Sequence, residues 1–183
     1  MSVQPVRSLL EEVDGKRDAL LAALDRLVTA ESPSVDADAL HAAADVLADI
    51  GRELLGVELE RGEVGSVPYL AHTPSGPSHV ALIGHFDTVW PLGTVVDRPF
   101  RVEGDWVYGP GILDMKCGIV QGLGAVSTVG LEGVTLLFTA DEELGSPSSR
   151  ALIEETARRV PAVLVLEPAA GEAVKVARKG CAI

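Results

Sequence analysis

His85 and Asp87 stand in Gly84-His85-Phe86-Asp87-Thr88-Val89, directly after the apolar run 80–83. Asp114 ends a glycine-rich loop in Gly109-Pro110-Gly111-Ile112-Leu113-Asp114-Met115-Lys116. Glu142 and Glu143 lie in Thr139-Ala140-Asp141-Glu142-Glu143-Leu144-Gly145, after the apolar run 134–138, and Glu167 follows the run 162–166. His, Asp and Glu are the ligands of hard and borderline divalent cations, zinc above all. Each residue alone has a plainer reading. His85 fits a structural histidine, Asp114 a helix cap, Glu167 a strand terminus, and the acids 141–143 a solvated loop leading to a helix N-terminus. Together they imply side chains converging on one rim of a sheet. Three adjacent acids repel one another, and a bound cation relieves that repulsion. Asp87, two residues after His85, is spaced to fix the tautomer of a ligating imidazole.

The elements that must position these groups follow from the pattern of apolar residues. Helical spacing predicts a helix over residues 5–29, weakened at Gly15 and broken by Glu31-Ser32-Pro33-Ser34. A second helix is expected over 36–55, capped by Asp36 and ended by Gly56. Period-two patterns predict strands at 57–60 and 67–71, the latter an edge strand because of Pro68. Runs 80–83, 134–138 and 162–166 read as buried central strands. Residues 100–108 read as a hairpin turning at Gly104-Asp105. Helices are expected over 116–129, rich in small residues and close to the sheet, and over 148–160. Alternating strands and helices give an α/β fold, with helices on both faces of a sheet whose strand ends carry the site.

The remaining chemistry-bearing residues receive structural readings. Lys116 and Arg98 are candidates for contacts with a substrate anion, but read more simply as a helix-surface charge and a strand-edge charge. His41, His72 and His79 are expected to be exposed, and Trp106 and Tyr108 to pack within the hairpin. The glycines around Pro110 do not match a nucleotide-binding loop. Cys117 and Cys181 form no disulfide framework and have no neighbouring histidine, so a catalytic thiol is not expected.

A chain of 183 residues with 47% hydrophobic content suits one globular domain. A net charge of −12 argues against nucleic acid as a partner. Met1-Ser2-Val3-Gln4-Pro5 lacks a signal pattern, and no apolar run approaches a transmembrane length, so no membrane partner and a cytoplasmic location are expected.

The three segments around His85, Asp114 and Glu142-Glu143 resemble the motifs of the zinc-dependent aminoacylase and carboxypeptidase family. That family includes glutamate carboxypeptidases, succinyl-diaminopimelate desuccinylases and acetylornithine deacetylases. Pro99-Phe100-Arg101-Val102-Glu103-Gly104-Asp105, leading into Tyr108-Gly109-Pro110-Gly111, is most similar to the glutamate carboxypeptidase branch. The resemblance covers about residues 6–182. It implies a two-zinc site, with Co2+ or Mn2+ as substitutes. Asp114 would bridge the metals, His85 and Glu167 would complete one, and Glu143 would bind the other. The catalytic candidates are Glu142, as general base, and Asp87, orienting His85. A cis peptide bond at Asp114–Met115 is expected.

The implied reaction is zinc-dependent hydrolysis of an amide bond in a small N-acyl amino acid or a peptide with a free carboxylate. The alternatives are a deacylase or desuccinylase of another N-acyl amino acid, a non-catalytic metal-binding fragment, and a metal-free binding module. The expected fold is the mixed sheet, flanked by helices, of a zinc-peptidase-like catalytic domain. Residues 1–183 are expected to be its N-terminal portion, with 176–182 leading into an inserted dimerisation domain. Family members are commonly homodimeric through that domain and take a last histidine ligand from the segment after it. One metal would then keep His85, Asp114 and Glu167, the other only Asp114 and Glu143. The chain is therefore expected to bind one metal well and a second weakly.

Overall fold

The computed structural model of the chain describes residues 6–169 together with 171, 173 and 175. The segment 176–182, expected to lead into an inserted domain, and Cys181 lie outside the described residues. The first helical pattern divides into α1 (Val6–Gly15) and α2 (Arg17–Thr29). At the break, the Lys16 ammonium donates to Ser127 O at 3.1 Å and Thr128 Oγ1 at 2.9 Å, in the last turn of a later helix. Helix α3 (Ala37–Leu55) begins where the Asp36 carboxylate accepts the Ala39 N–H, and it ends at left-handed Gly56.

Seven strands follow in two sheets. Strands β1 (Glu60–Val64), β2 (Val67–His72), β3 (Val80–His85), β6 (Val134–Thr139) and β7 (Val163–Val165) form a mixed sheet in the order β1-β2-β6-β3-β7. Strands β4 (Arg101–Glu103) and β5 (Trp106–Tyr108) form the expected hairpin, preceded by the short helix α4 (Thr94–Asp97). β1 and β2 run antiparallel to their neighbours, whereas β6 and β7 both run parallel to β3, one on each side. The chain leaves β3 for β6 through α5 (Cys117–Val129). It then crosses to the far side of β3 through α6 (Arg150–Arg158). Right-handed crossovers taken in opposite directions place their helices on opposite faces. The buried residues agree. Helices α2, α3 and α5 enclose one core with Leu136 and Phe138, while α6 lends Leu152 and Ile153 to a smaller one around Ala81, Ile83 and Leu137.

Several expectations are corrected. The first strand begins at Glu60, not at 57, because Val57 and Leu59 belong to the approach from α3, and Leu59 packs against Gly51. β2 is not an edge strand. Pro68 is tolerated because the pairing with β6 covers only Leu70, Ala71 and His72. β7 is not buried: Val163, Leu164 and Val165 are 36%, 53% and 59% exposed at the outer side of the sheet. Trp106 is 70% exposed, so it does not pack within its hairpin, and Arg101 lies over the Tyr108 ring at 4.1 Å. Arg98 ends α4 and stands over Trp90, not on a strand edge. Of the three remaining histidines only His79 is exposed; His41 and His72 are half-buried. The stretch Ile112–Val129 does reach the length and apolarity of a membrane span. Its backbone is non-helical at Asp114 and Met115, however, and α5 packs on the sheet.

The small residues of α5 serve the close approach expected of them. A Cβ on Gly118 would fall 1.9 Å from the backbone oxygen of Leu166, the residue before Glu167. Gly118→Ala is therefore expected to destabilise the chain by about 1–3 kcal/mol, the usual cost of overpacking. A urea melt checks this, and unchanged stability would contradict the packing described.

Candidate metal centre

Three parallel strands end side by side, and each delivers site residues from its carboxyl end. β3 ends at His85, β6 leads through Ala140 and Asp141 to Glu142 and Glu143, and β7 leads through Leu166 to Glu167. Asp114 arrives from the kinked turn Ile112–Lys116 that opens α5. Gly111 has φ +68, and a Cβ there would meet the Thr88 methyl at 2.5 Å, so this turn lies directly against the end of β3. The Asp114–Met115 peptide is cis.

His85 is the hub. Its Nε2 lies 3.1 Å from Asp114 Oδ1, 3.4 Å from Glu167 Oε1 and 3.7 Å from Glu142 Oε2. Two sets of side chains bring their ligand atoms within 4.8 Å of one another: His85, Glu142 and Glu167, and His85, Asp114 and Glu143. Among the described residues His85 is the only histidine in either set. All six site residues expected from the sequence thus lie together. Glu142, expected as a base, also has the reach of a ligand.

Asp87 is fully buried. Its Oδ1 is 3.3 Å from His85 Nδ1 and accepts the Glu142 N–H at 3.2 Å. Its Oδ2 accepts the Glu143 N–H at 3.1 Å and the Ser34 hydroxyl at 2.7 Å. Burial alone would raise the Asp87 pKa. The hydrogen bonds from His85 and Ser34, the His85 charge and the Glu143 amide outweigh it and hold the group below the usual carboxylate range. Asp87 therefore does more than orient an imidazole: it also fixes the backbone of the two-glutamate turn.

Asp141 plays a different part from its neighbours. It is buried, and its carboxylate accepts the Ser148 and Ser149 N–H groups and the Ser149 hydroxyl. Only two of the three adjacent acids face the site; the third ties the turn to the start of α6. Lys116 is neither a helix-surface charge nor exposed to a substrate anion. It is buried, and its ammonium donates to Leu27 O and Ala30 O, both at 2.9 Å, at the end of α2. Burial pushes its pKa down to about 7, against the charges of Glu31 and Asp87. Cys117 is half-buried, and burial raises its thiol pKa, as expected of a packing residue.

The electrostatics ask for a cation. Burial lowers the pKa of His85, but the hydrogen bond and charge of Asp87 and the charges of Glu142 and Glu167 outweigh it, giving about 9. Burial and the charges of Asp114, Asp87 and Glu142 raise the Glu143 pKa, partly offset by His85. One imidazole and four carboxylates form an N/O donor set that suits zinc, with Asp87 as the carboxylate behind the histidine.

Comparison with known proteins identifies relatives of this chain. The model of peptidase family M20/M25/M40 matches residues 81–178, more than half of the chain. A carboxypeptidase G2 from Pseudomonas sp. (strain RS-16) is 34% identical over 171 residues, covering 87% of this chain and 41% of the relative. A succinyl-diaminopimelate desuccinylase from Gluconobacter oxydans is 32% identical over 180 residues, covering 89% of this chain and 47% of the relative. The chain thus spans less than half the length of these curated relatives. Among solved structures, human carnosine dipeptidase 1 aligns with a TM-score of 0.69 at 19% identity, over 90% of this chain and 42% of that one. An M20 family metallo-carboxypeptidase from Sulfolobus solfataricus aligns with a TM-score of 0.65 at 21% identity, over 82% and 37%. At these identities the structural likeness establishes the fold.

The raised pKa of His85 has a consequence for metal binding. A ligating imidazole must be neutral, so below about pH 9 a bound ion displaces the His85 proton. Zinc binding at pH 7.5 is expected to release about one proton for the ion held by His85, and the affinity of that site to rise about tenfold per pH unit until the histidine titrates. Calorimetry in buffers of different ionisation enthalpy measures the release. Binding with no release at pH 7.5 would contradict the protonated, metal-free state.

Proposed function

Because this chain belongs to peptidase family M20/M25/M40, we propose that it carries the metal-binding portion of a zinc-dependent amide hydrolase. The substrate class would be a small N-acyl amino acid or a peptide with a free carboxylate, of the glutamate carboxypeptidase type. The observation that carries the reading is the convergence of four carboxylates on the single buried imidazole of His85. The similarity to a carboxypeptidase G2 and to succinyl-diaminopimelate desuccinylases supports the class of bond.

In this reading His85, Asp114 and Glu167 hold one ion, and Asp114 with Glu143 begins the second site. When bound, zinc polarises an amide carbonyl and lowers the pKa of a water from about 15.7 to about 7. Glu142 takes the proton of the attacking water and returns it to the departing amine. Its carboxylate is 42% exposed, open to a substrate, while its backbone N–H is held by Asp87. Asp87 keeps the Nδ1 side of His85 engaged, which directs Nε2 toward the acids.

The same geometry supports a second reading, in which Glu142 is a ligand beside His85 and Glu167. Glu142→Gln separates the two. A general base contributes about 10²–10⁴ in rate, so the substitution should remove N-acyl-glutamate hydrolysis to that extent while zinc affinity persists. A parallel loss of zinc affinity would make Glu142 a ligand. Zinc retained by a chain without turnover would favour the non-catalytic fragment.

Stoichiometry follows from the donor count. Zinc titration of the 183-residue chain should show one tight site and a second, weaker one. Two sites of equal affinity would overturn the proposed division of ligands.

A further inference from the structure

The segment between α2 and α3 touches two of the parts that carry the metal centre, the Asp114 turn and the end of β3. The two carbonyls that receive the buried Lys116 ammonium, Leu27 O and Ala30 O, lead into it. Lys116 follows Asp114 by two residues, so that bond ties the Asp114 turn to the end of α2. The Glu31 carboxylate accepts the Gly93 and Val95 N–H groups at 2.7 and 2.9 Å, fastening the loop beyond β3. Residues 32–34 lie alongside 86–88 in a short parallel bridge at Pro33 and Thr88. In that bridge Thr88 donates its N–H to Ser32 O at 2.8 Å, and Ser34 donates its N–H to Thr88 O at 3.2 Å. The Ser32 hydroxyl donates to Phe86 O, and the Ser34 hydroxyl to Asp87 Oδ2.

Ser34 is the one side chain of this connector that reaches the carboxylate behind His85. Four groups surround the two carboxylate oxygens of Asp87: the Glu142 amide and, at 3.3 Å, the imidazole on Oδ1, and the Glu143 amide and the Ser34 hydroxyl on Oδ2, while His85 Nδ1 also lies 3.1 Å from the Asp87 backbone oxygen. At 2.7 Å the bond from Ser34 is the shortest of the four. Without it Oδ2 keeps a single donor, the Glu143 amide, and the carboxylate loses one of the bonds that resist rotation about its Cβ–Cγ bond. Such rotation would loosen the Glu142–Glu143 turn and the imidazole together, because both hang on the same group.

We propose that Ser34 is a positioning residue of the metal centre, acting through Asp87 to hold His85 and the two-glutamate turn in register. This rests on the reading of His85 and its neighbouring acids as a metal site. Ser34 itself touches neither the ion nor the substrate.

The test is a Co2+ titration of the 183-residue chain and three variants, followed by visible absorption. Partners behind metal ligands are commonly worth about 10–100-fold in affinity. Ser34→Ala should weaken Co2+ binding by about tenfold, at the lower end of that range because it acts one bond further out. It should also shift the visible bands and speed amide exchange at Glu142 and Glu143. Ser34→Thr, which keeps the hydroxyl, should restore affinity and spectrum. Asp36→Ala, which removes the α3 cap two residues away, should lower stability but leave Co2+ affinity unchanged. Wild-type affinity and spectrum in Ser34→Ala would overturn the proposal. So would equal losses in Ser34→Ala and Asp36→Ala, which would mark a general loss of stability. Failure of the unaltered chain to bind Co2+ would sink the metal reading itself, and this proposal with it.

Discussion

One buried carboxylate sets the terms for the rest of the site. An ionised group removed from water is tolerated only where donors replace its hydration. Asp87 meets that condition with four donors drawn from three parts of the chain: the end of β3, the turn after β6 and the connector before α3. These segments are far apart in sequence, so the same group that must be satisfied also fixes their relative positions. The hydrogen bonds of Asp87 are therefore at once the cost of its burial met and the geometry of the centre defined. A Glu at this position would have to move at least one of the three segments to fit its extra methylene.

The sheet topology explains why this anchoring is needed. β3 is the point at which strand order reverses, with β6 on one side and β7 on the other. Crossovers that diverge to opposite faces leave a crevice at the carboxyl ends, where ligands of open α/β sheets bind. That crevice is lined by loop starts rather than by strand residues, so ladder hydrogen bonds alone do not fix the side chains in it. Asp87 fixes one loop, Asp141 ties the next to α6, and Lys116 seats the Asp114 turn on α2. Each anchor is a buried titratable side chain that ties a loop of the site to a neighbouring element.

Much of this was legible in the sequence, because apolar periodicity and strand-end acids are local signals. The cap at Asp36, the stop at Gly56 and the three parallel strands followed from composition and spacing. The hidden features depended on tertiary direction. Lys116 was read as a surface charge because nothing local distinguishes a lysine that snorkels to water from one that turns inward to two carbonyls. Asp141 was grouped with its acidic neighbours because adjacency in sequence does not reveal that one of three carboxylates points back. β7 has the composition of a buried strand, yet its burial depends on what lies beyond it in the sheet. Ser34 sat within a segment read only as a helix breaker, and its role depends on a contact across 53 residues.

The charges gathered around His85 favour a cation. His85 is held near pKa 9 despite burial because the surrounding acids make a positive charge on the imidazole favourable. His85 is the only histidine among the described residues of the two ligand sets, and four carboxylates belong to them: Asp114, Glu142, Glu143 and Glu167. Burial and the charges of Asp114, Asp87 and Glu142 keep the Glu143 pKa raised even with His85 close by. A divalent ion held by His85 and these carboxylates would relieve the repulsion among them. The arrangement thus suits a multivalent cation, because four carboxylates carry more negative charge than a single imidazolium can balance.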